Sequence, residues 1–348
     1  MQDILSILFF SSLISYIFIN IFRKIFIKYN ILDNPKKYNK KRKPIPYSMG
    51  ITLFLSFLLI SIFSVEHTYK YYLIIVFGGI ITFISFIDDM LNVNAKIRLI
   101  IQVIIGAIIG ITSIKIGYVS NIFGGIIDLE TYFFTFFDFK IYIVPIIFTI
   151  IWYVFIFNSI NWTDGIGGNT SGIGIISFFI LFLLGLILFG KDDYEGGIKN
   201  AKFIMNISII LVGILIPFWY YDVREKILMG DSGTMFLGFM LATLAIISGG
   251  KIATVLVVFG IYSVDAIYVL VNRIINKKNP LKGDFTHLHH RLSKIGLTRK
   301  QILAMVYSLS FFFGLTALFL DKTGKIIVFG IIVVVLIFIN KIIEKVKK

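Results

Sequence analysis

Apolar residues run along this chain in long blocks, without the alternation of half-buried strands or the one-sided stripes of soluble helices. A helix needs about 20 mostly apolar residues to cross a bilayer. Eleven blocks approach that length: 4–22, 49–65, 71–87, 97–114, 141–158, 172–189, 203–220, 234–249, 252–272, 301–320 and 326–343. The pattern predicts an all-α, polytopic membrane protein with about eleven transmembrane helices. No loop reaches 40 residues and no internal repeat is visible, so residues 1–348 read as a single integral-membrane domain. Acidic Asp3 precedes the first block and a basic cluster follows it. That order is the reverse of a secretory signal and predicts a retained first helix.

Basic residues set the orientation. With the N-terminus outside, the cytoplasmic segments hold 25 Lys and Arg residues and the external segments 9. Cytoplasmic loops carry the excess of Lys and Arg, so the N-terminus is expected outside, the C-terminus in the cytoplasm, and the protein in the cell membrane. Composition agrees. Of 348 residues, 57% are hydrophobic and 15% charged, against roughly 45–50% and about 25% in soluble domains. A soluble globule and a disordered chain are both excluded. The net charge of +15 reads as loop lysines that fix topology, and no nucleic-acid partner is expected. The absence of cysteine excludes disulfides, thiolate metal sites and cysteine nucleophiles.

Five polar segments stand out, and in this orientation each lies at a cytoplasmic end. The first runs from Asp33 to Gly50 and includes Lys43; the second is Asp88-Asp89 with Lys96 and Arg98. The others are Asn158, Asn161 and Asp164-Gly165; Gly230-Asp231-Ser232-Gly233; and His287, His289, His290 and Arg291. They come from alternate loops, which predicts one cytoplasmic-facing polar site.

Each segment also has a plainer reading. Paired acids at a helix end are often interfacial, but adjacent carboxylates repel unless a cation or basic group is near, and Lys96 and Arg98 follow closely. Asn158, Asn161 and Asp164 recur every three residues, which on a helix keeps them near one face. Amides suit a nucleobase edge and a carboxylate suits a ribose or a metal; otherwise this is a polar helix end running into a Gly-rich loop. Asp231 is either an N-cap or a ligand to a divalent cation, because hard oxygen donors suit Mg²⁺. The histidine segment holds three of the four histidines. It is a solvated loop, a zinc site or an anion pocket, and its spacing suits one tetrahedral zinc poorly. Asp265 lies inside an apolar block, where a carboxylate is functional by default; it is expected behind the cytoplasmic groups, not among them. The external acids Asp128, Glu130, Asp138, Asp192, Asp193 and Glu195 read as solvated loop charges.

Together these segments resemble the polyprenyl-phosphate N-acetylhexosamine-1-phosphate transferases, the superfamily that includes the phospho-MurNAc-pentapeptide translocase. The resemblance spans roughly residues 30–305, with the motifs in the same order. Phe86-Ile87-Asp88-Asp89 with its basic pair and Gln102 is similar to the family's Asp-Asp motif. Asn158-Ser159-Ile160-Asn161-Trp162-Thr163-Asp164-Gly165 is similar to its Asn-x-x-Asn-x-x-Asp-Gly motif. Met229-Gly230-Asp231-Ser232-Gly233 through Gly238 is a close match. His287-Leu288-His289-His290-Arg291 resembles the branch that starts O-antigen, enterobacterial-antigen and teichoic-acid linkage units. Gly165-Ile166-Gly167-Gly168-Asn169 departs from the family pattern in lacking a second Asp, and the first loop lacks the usual His.

The resemblance implies transfer of an N-acetylhexosamine-1-phosphate, GlcNAc-1-phosphate by preference, from a UDP-sugar to a polyprenyl (undecaprenyl) phosphate, releasing UMP. It implies Mg²⁺, with Mn²⁺ as the alternative ion, held by Asp231 and Asp164. Asp88, Asp89, Asp164 and Asp231 are the implied catalytic acids. Lys43, Lys96, Arg98, Asn158, Asn161, His287, His289, His290 and Arg291 are the implied substrate contacts. The peptidoglycan translocase and a lipid or solute transporter are the competing readings; the transporter predicts midplane polar groups and inverted repeats, and neither is visible. A homodimer is left open.

Overall fold

All eleven apolar blocks fall on helix in the computed structural model, which describes residues 2–35, 42–91, 93–121, 124–137, 139–191, 195–249, 251–277 and 286–346. The helices are α1 (Gln2–Lys28), α2 (Ile51–Ser64), α3 (Tyr69–Leu91), α4 (Ala95–Ile111), α5 (Ile143–Asn161), α6 (Asn169–Lys191) and α7 (Glu195–Asp222). They continue with α8 (Gly230–Ile247), α9 (Ile252–Val258), α10 (Gly260–Ile275), α11 (Leu288–Lys294), α12 (Arg299–Phe319) and α13 (Lys322–Val346). Between α4 and α5 stand two antiparallel ribbons. β1 (Tyr118–Ser120) pairs with β2 (Ile126–Asp128), Val119 opposite Ile127. β3 (Phe133–Phe136) pairs with β4 (Phe139–Tyr142), Thr135 opposite Lys140.

Among the described residues, α1, α3, α5, α6, α7, α8, α12 and α13 are long and apolar enough to cross a membrane, which makes the chain a multi-pass membrane protein. α9 and α10 add a ninth span if they count as one, although they meet at 85°. The count of eleven is not reached on this measure. α2 has 14 residues and α4 has 17, both short of a full crossing. α2 starts at Ile51 because the turn before it is tied to another segment: Met49 and Gly50 donate to the carbonyls of Leu228 and Met229 at 3.0 and 2.9 Å.

The chain divides into two compact units. The first comprises 1–93 and 163–240, with α1, α2, α3, α6, α7 and the first part of α8. α7 is its most buried long helix apart from α8. α1 lies against α7 through small residues: Ser12 and Ser15 donate to the carbonyls of Gly213 and Ile214 at 3.0 and 2.7 Å. Close contact of small residues is how helices associate where water supplies no hydrophobic drive.

The second unit comprises 94–162 and 241–348. Here Gly106 and Gly110 of α4 face α5, and a Cβ at either position would come within 3.0 Å of the Cα of Ile150 or Ile146. Tyr153 of α5 bonds the hydroxyl of Thr243 at 2.6 Å, and the Trp152 indole donates to the Ala242 carbonyl at 3.1 Å. The α9–α10 bend sits at Phe259–Gly260, where Gly260 packs on Ile332 of α13.

Candidate active site

In the first unit Asp89 meets Asp231 at the start of α8. Segment 45–50 is threaded between two others: Asp33 donates its N–H to Ile45, Tyr47 to Ile31, and Leu228 to Pro46. Arg42 closes this loop with a two-pronged contact to buried Asp33, 3.0 and 2.6 Å. Gly230 takes φ +72°, and a Cβ there would meet the Asp89 carboxylate at 2.5 Å. Only glycine accepts both constraints at low cost.

Asp89, near the end of α3, is thereby drawn against the first turn of α8. Its Oδ1 accepts from the Tyr47 hydroxyl (2.8 Å) and the Asp231 N–H (2.9 Å). Its Oδ2 accepts from the Ser48 hydroxyl (2.6 Å) and the Ser232 N–H (3.1 Å). The first N–H groups of a helix lack partners inside it and attract negative charge; Asp89 supplies that charge from another helix. Asp88 is buried, and its Oδ1 accepts the Val93 N–H at 2.8 Å.

Asp231 is half-buried on the first turn of α8. Asp164 is half-buried in the turn before α6. α5 ends at Asn161, so Asp164 does not continue the helical face of Asn158 and Asn161. The chain leaves the helix at Trp162 and enters the Gly-rich turn, where Gly168 has φ +90° against Val223. Lys43 is exposed.

The second unit holds the amides and the histidines. Asn158 donates from Nδ2 to Gln102 Oε1 and to the Val154 carbonyl, both 2.8 Å. Lys96 is exposed and Arg98 half-buried in the first turn of α4, which Asn94 caps at 2.9 Å. The histidine segment is helical: His287 caps α11, and His289, His290 and Arg291 lie on its first turn. The ring of His287 stacks on Trp162 at 5.1 Å, and His289 lies 4.1 Å from His290.

Asp265 sits under this cluster. It accepts Arg291 Nη2 at 2.6 Å, the Leu288 N–H at 3.0 Å and His287 Nδ1 at 3.3 Å. The sequence placed Asp265 behind the candidate site; the structure makes it the partner of two members. A charge in an apolar block was the available signal. Trp162, Tyr47, Ser48 and Ser232 carried no such signal, because their roles depend on distant partners.

His289 is fully buried, and neither ring nitrogen has a partner among the described residues. Arg291 likewise has Nε and Nη1 buried and unpartnered. Burial, and then the neighbouring His290, His287 and Arg291, hold the His289 pKa well below the ordinary value. Beside Arg291 a cavity of about 470 Å³ runs between α10 and α13. Its walls are mainly apolar, including Val264, Ile267, Val271, Val333 and Leu336, with Asp265 and Arg291 also lining it.

Among the described residues no group of three His, Asp or Glu stands close enough to hold a metal by itself. Mg²⁺ is usually bound through one or two carboxylates, with substrate phosphates and water completing its shell. Asp231 and Asp164 are half-buried carboxylates and match that donor class; both oxygens of Asp89 accept hydrogen bonds from the protein.

Comparison with known proteins bears on the same residues. A Bacillus subtilis protein named "Probable undecaprenyl-phosphate N-acetylglucosaminyl 1-phosphate transferase" is 26% identical over 332 residues, covering 93% of this chain and 87% of its own. The Salmonella typhi undecaprenyl-phosphate alpha-N-acetylglucosaminyl 1-phosphate transferase is 26% identical over 319 residues, 88% of this chain and 80% of its own. The Mycolicibacterium smegmatis decaprenyl-phosphate N-acetylglucosaminephosphotransferase is 26% identical over 294 residues, 77% and 68%. The family model for glycosyl transferase family 4 matches residues 71–249, the stretch that carries Asp88, Asp89, Asn158, Asn161, Asp164 and Asp231. That match takes in just over half of the sequence, and the chain belongs to glycosyl transferase family 4.

Proposed function

We propose that this protein transfers GlcNAc-1-phosphate from UDP-GlcNAc to undecaprenyl phosphate at the cytoplasmic face of a bacterial cell membrane, the first step of a cell-envelope glycan. The observation that carries the reading is the near full-length similarity to transferases named for that reaction. The buried Arg291 donors without a partner among the described residues support it, because such donors suit an anionic group.

In the proposed reaction an oxygen of the lipid phosphate attacks the β-phosphorus of the UDP-sugar. The bond from that phosphorus to the bridging oxygen breaks, and UMP leaves with the oxygen. The product is a lipid diphosphate sugar. A phosphate monoester has a second pKa of about 6, so the attacking oxygen is already ionised at neutral pH and direct attack needs no covalent aspartyl intermediate. Two anions must meet, so the protein works mainly by positioning and by stabilising charge.

Arg291, His287 and His290 neutralise phosphate, with Lys96 and Arg98 as further cations and Lys43 as an outer contact. Asn158, Asn161 and Asp164 orient the nucleotide. Asp231 and Asp164 are the residues to hold Mg²⁺, which when bound offsets the charge of the diphosphate. Asp88 and Asp89 shape the acidic end of the first unit. The groove between α10 and α13 suits an apolar prenyl chain, with the Arg291 guanidinium at its polar end.

The test is product formation by the purified protein given undecaprenyl phosphate and, in parallel, UDP-GlcNAc or UDP-MurNAc-pentapeptide. UMP release with UDP-GlcNAc alone is expected. Release only with the pentapeptide substrate would assign the protein to the peptidoglycan translocases, and release with neither would remove the reading.

A further inference from the structure

We propose that Asp265 is a positioning residue: it orients the guanidinium of Arg291 and the ring of His287 for an anionic substrate without touching that substrate. This rests on the function proposed above for the histidine segment.

Asp265 is 2% exposed and stands on α10. A carboxylate buried there without partners carries a large desolvation penalty. Among the described residues its partners all come from one short stretch, 287–291. Oδ1 takes a single bond from Arg291 Nη2 at 2.6 Å, and Oδ2 takes the Leu288 N–H and His287 Nδ1. A carboxylate only accepts, so His287 donates from Nδ1 and its Nε2 is left to face elsewhere. The ring is held a second time by its stack on Trp162.

Arg291 is also held twice. Its guanidinium lies 4.7 Å over the ring of Tyr268, three residues along α10 from Asp265. With Nη2 held by Asp265 and the guanidinium held over Tyr268, the placement of Nε and Nη1 is constrained, and these are the buried nitrogens that lack a partner among the described residues. A capping carboxylate alone would need only the Leu288 N–H. The additional bonds to Arg291 and His287 tie the cap to the two side chains expected to meet phosphate.

The test combines kinetics with a signal that does not depend on turnover. Label the full-length protein with 5-fluorotryptophan in nanodiscs, and assign the Trp162 resonance with Trp162→Phe. Asp265→Asn should shift the Trp162 resonance and leave Trp219 in place. With UDP-GlcNAc and undecaprenyl phosphate it should lower kcat/KM by about ten- to a hundredfold, the loss expected for a hydrogen bond to a charged group. Added to Arg291→Ala, it should cost less than it does alone, because the share of its effect that runs through Arg291 is already gone and only the His287 share remains. An unmoved Trp162 resonance, or losses that simply multiply, would overturn the proposal. Asp265→Glu keeps the charge and covers the case in which the Asn variant does not fold; it should insert normally yet lose about tenfold, and wild-type kinetics would refute the assignment. If the wild-type protein makes no lipid-linked GlcNAc, the functional reading fails, and the Trp162 shift alone then decides whether Asp265 anchors the segment.

Discussion

Replacing Asp89 by Asn separates two roles that a paired-acid motif leaves merged: metal ligand and structural clamp. In the structure each oxygen of Asp89 takes one hydroxyl and one backbone N–H, Tyr47 and Asp231 on Oδ1, Ser48 and Ser232 on Oδ2. An Asn keeps one oxygen and presents NH₂ in place of the other. The hydroxyl facing that NH₂ rotates to accept from it. The backbone N–H cannot, so whichever way the amide turns, either Asp231 or Ser232 faces a donor. Losing one hydrogen bond to a charged acceptor costs about 1.5–3 kcal/mol. The lost negative charge at the start of α8 adds about 0.3–1 kcal/mol. Asp89→Asn should therefore lower the stability of the detergent-solubilised protein by about 2–4 kcal/mol. Because Asp231 rides on that turn, turnover should fall at least tenfold. The assay is thermal unfolding alongside UMP release over a Mg²⁺ titration, with Tyr47→Phe as the control that removes one hydroxyl and keeps the charge, worth about 1.5–3 kcal/mol. A variant with wild-type melting whose activity returns at high Mg²⁺ would refute the clamp and make Asp89 a metal ligand.

Asp231→Asn keeps size and removes charge; it should abolish turnover while the protein still inserts, and near-normal rates at saturating Mg²⁺ would clear Asp231 of metal binding. Arg291→Ala should lower kcat/KM by about ten- to a hundredfold, whereas Lys300→Ala, at an exposed position on α12, should change it little; equal effects would detach the histidine segment from substrate. His289 resists protonation in the fold, while in the unfolded chain it takes up a proton near the usual histidine pKa of about 6.5. Its contribution is therefore fully present above that pH and declines as pH drops below it. Melting temperatures followed from pH 7.5 to 5 should fall less in His289→Gln than in wild type; parallel curves would contradict a buried neutral ring. Cysteines placed at exposed Lys43 and Ser293 should escape an impermeant thiol reagent in intact cells, and one at exposed Thr131 should react; the reverse pattern would invert the topology.

The helices were legible because bilayer-length apolar runs leave the backbone few alternatives. Every block from 4–22 to 326–343 became helix. What hydropathy does not carry is direction. Block 252–272 reads as one span, yet the chain turns 85° at Phe259–Gly260, where a missing side chain admits Ile332. The three-residue spacing of Asn158, Asn161 and Asp164 suggests one helical face, but α5 stops at Asn161 and Asp164 lies in the turn beyond it. The motif residues themselves were legible, since charge and amide groups in apolar sequence are conspicuous. Their partners were not: Tyr47, Ser48 and Ser232 are ordinary residues until 45–50 is laid beside 228–232. Asp265 was conspicuous, but its attachment to Arg291, 26 residues away, depends on the start of α11 folding back to it.

The central claim is transfer of a phosphorylated sugar, not of the sugar alone, and the position of a label decides it. Purified protein is given UDP-GlcNAc carrying ³²P at the β-phosphate, together with undecaprenyl phosphate and Mg²⁺, and the lipid and aqueous phases are separated. The account predicts the label in the organic phase as lipid diphosphate GlcNAc, with unlabelled UMP in water in equal amount. Label retained in water as UDP, with GlcNAc alone on the lipid, would contradict it.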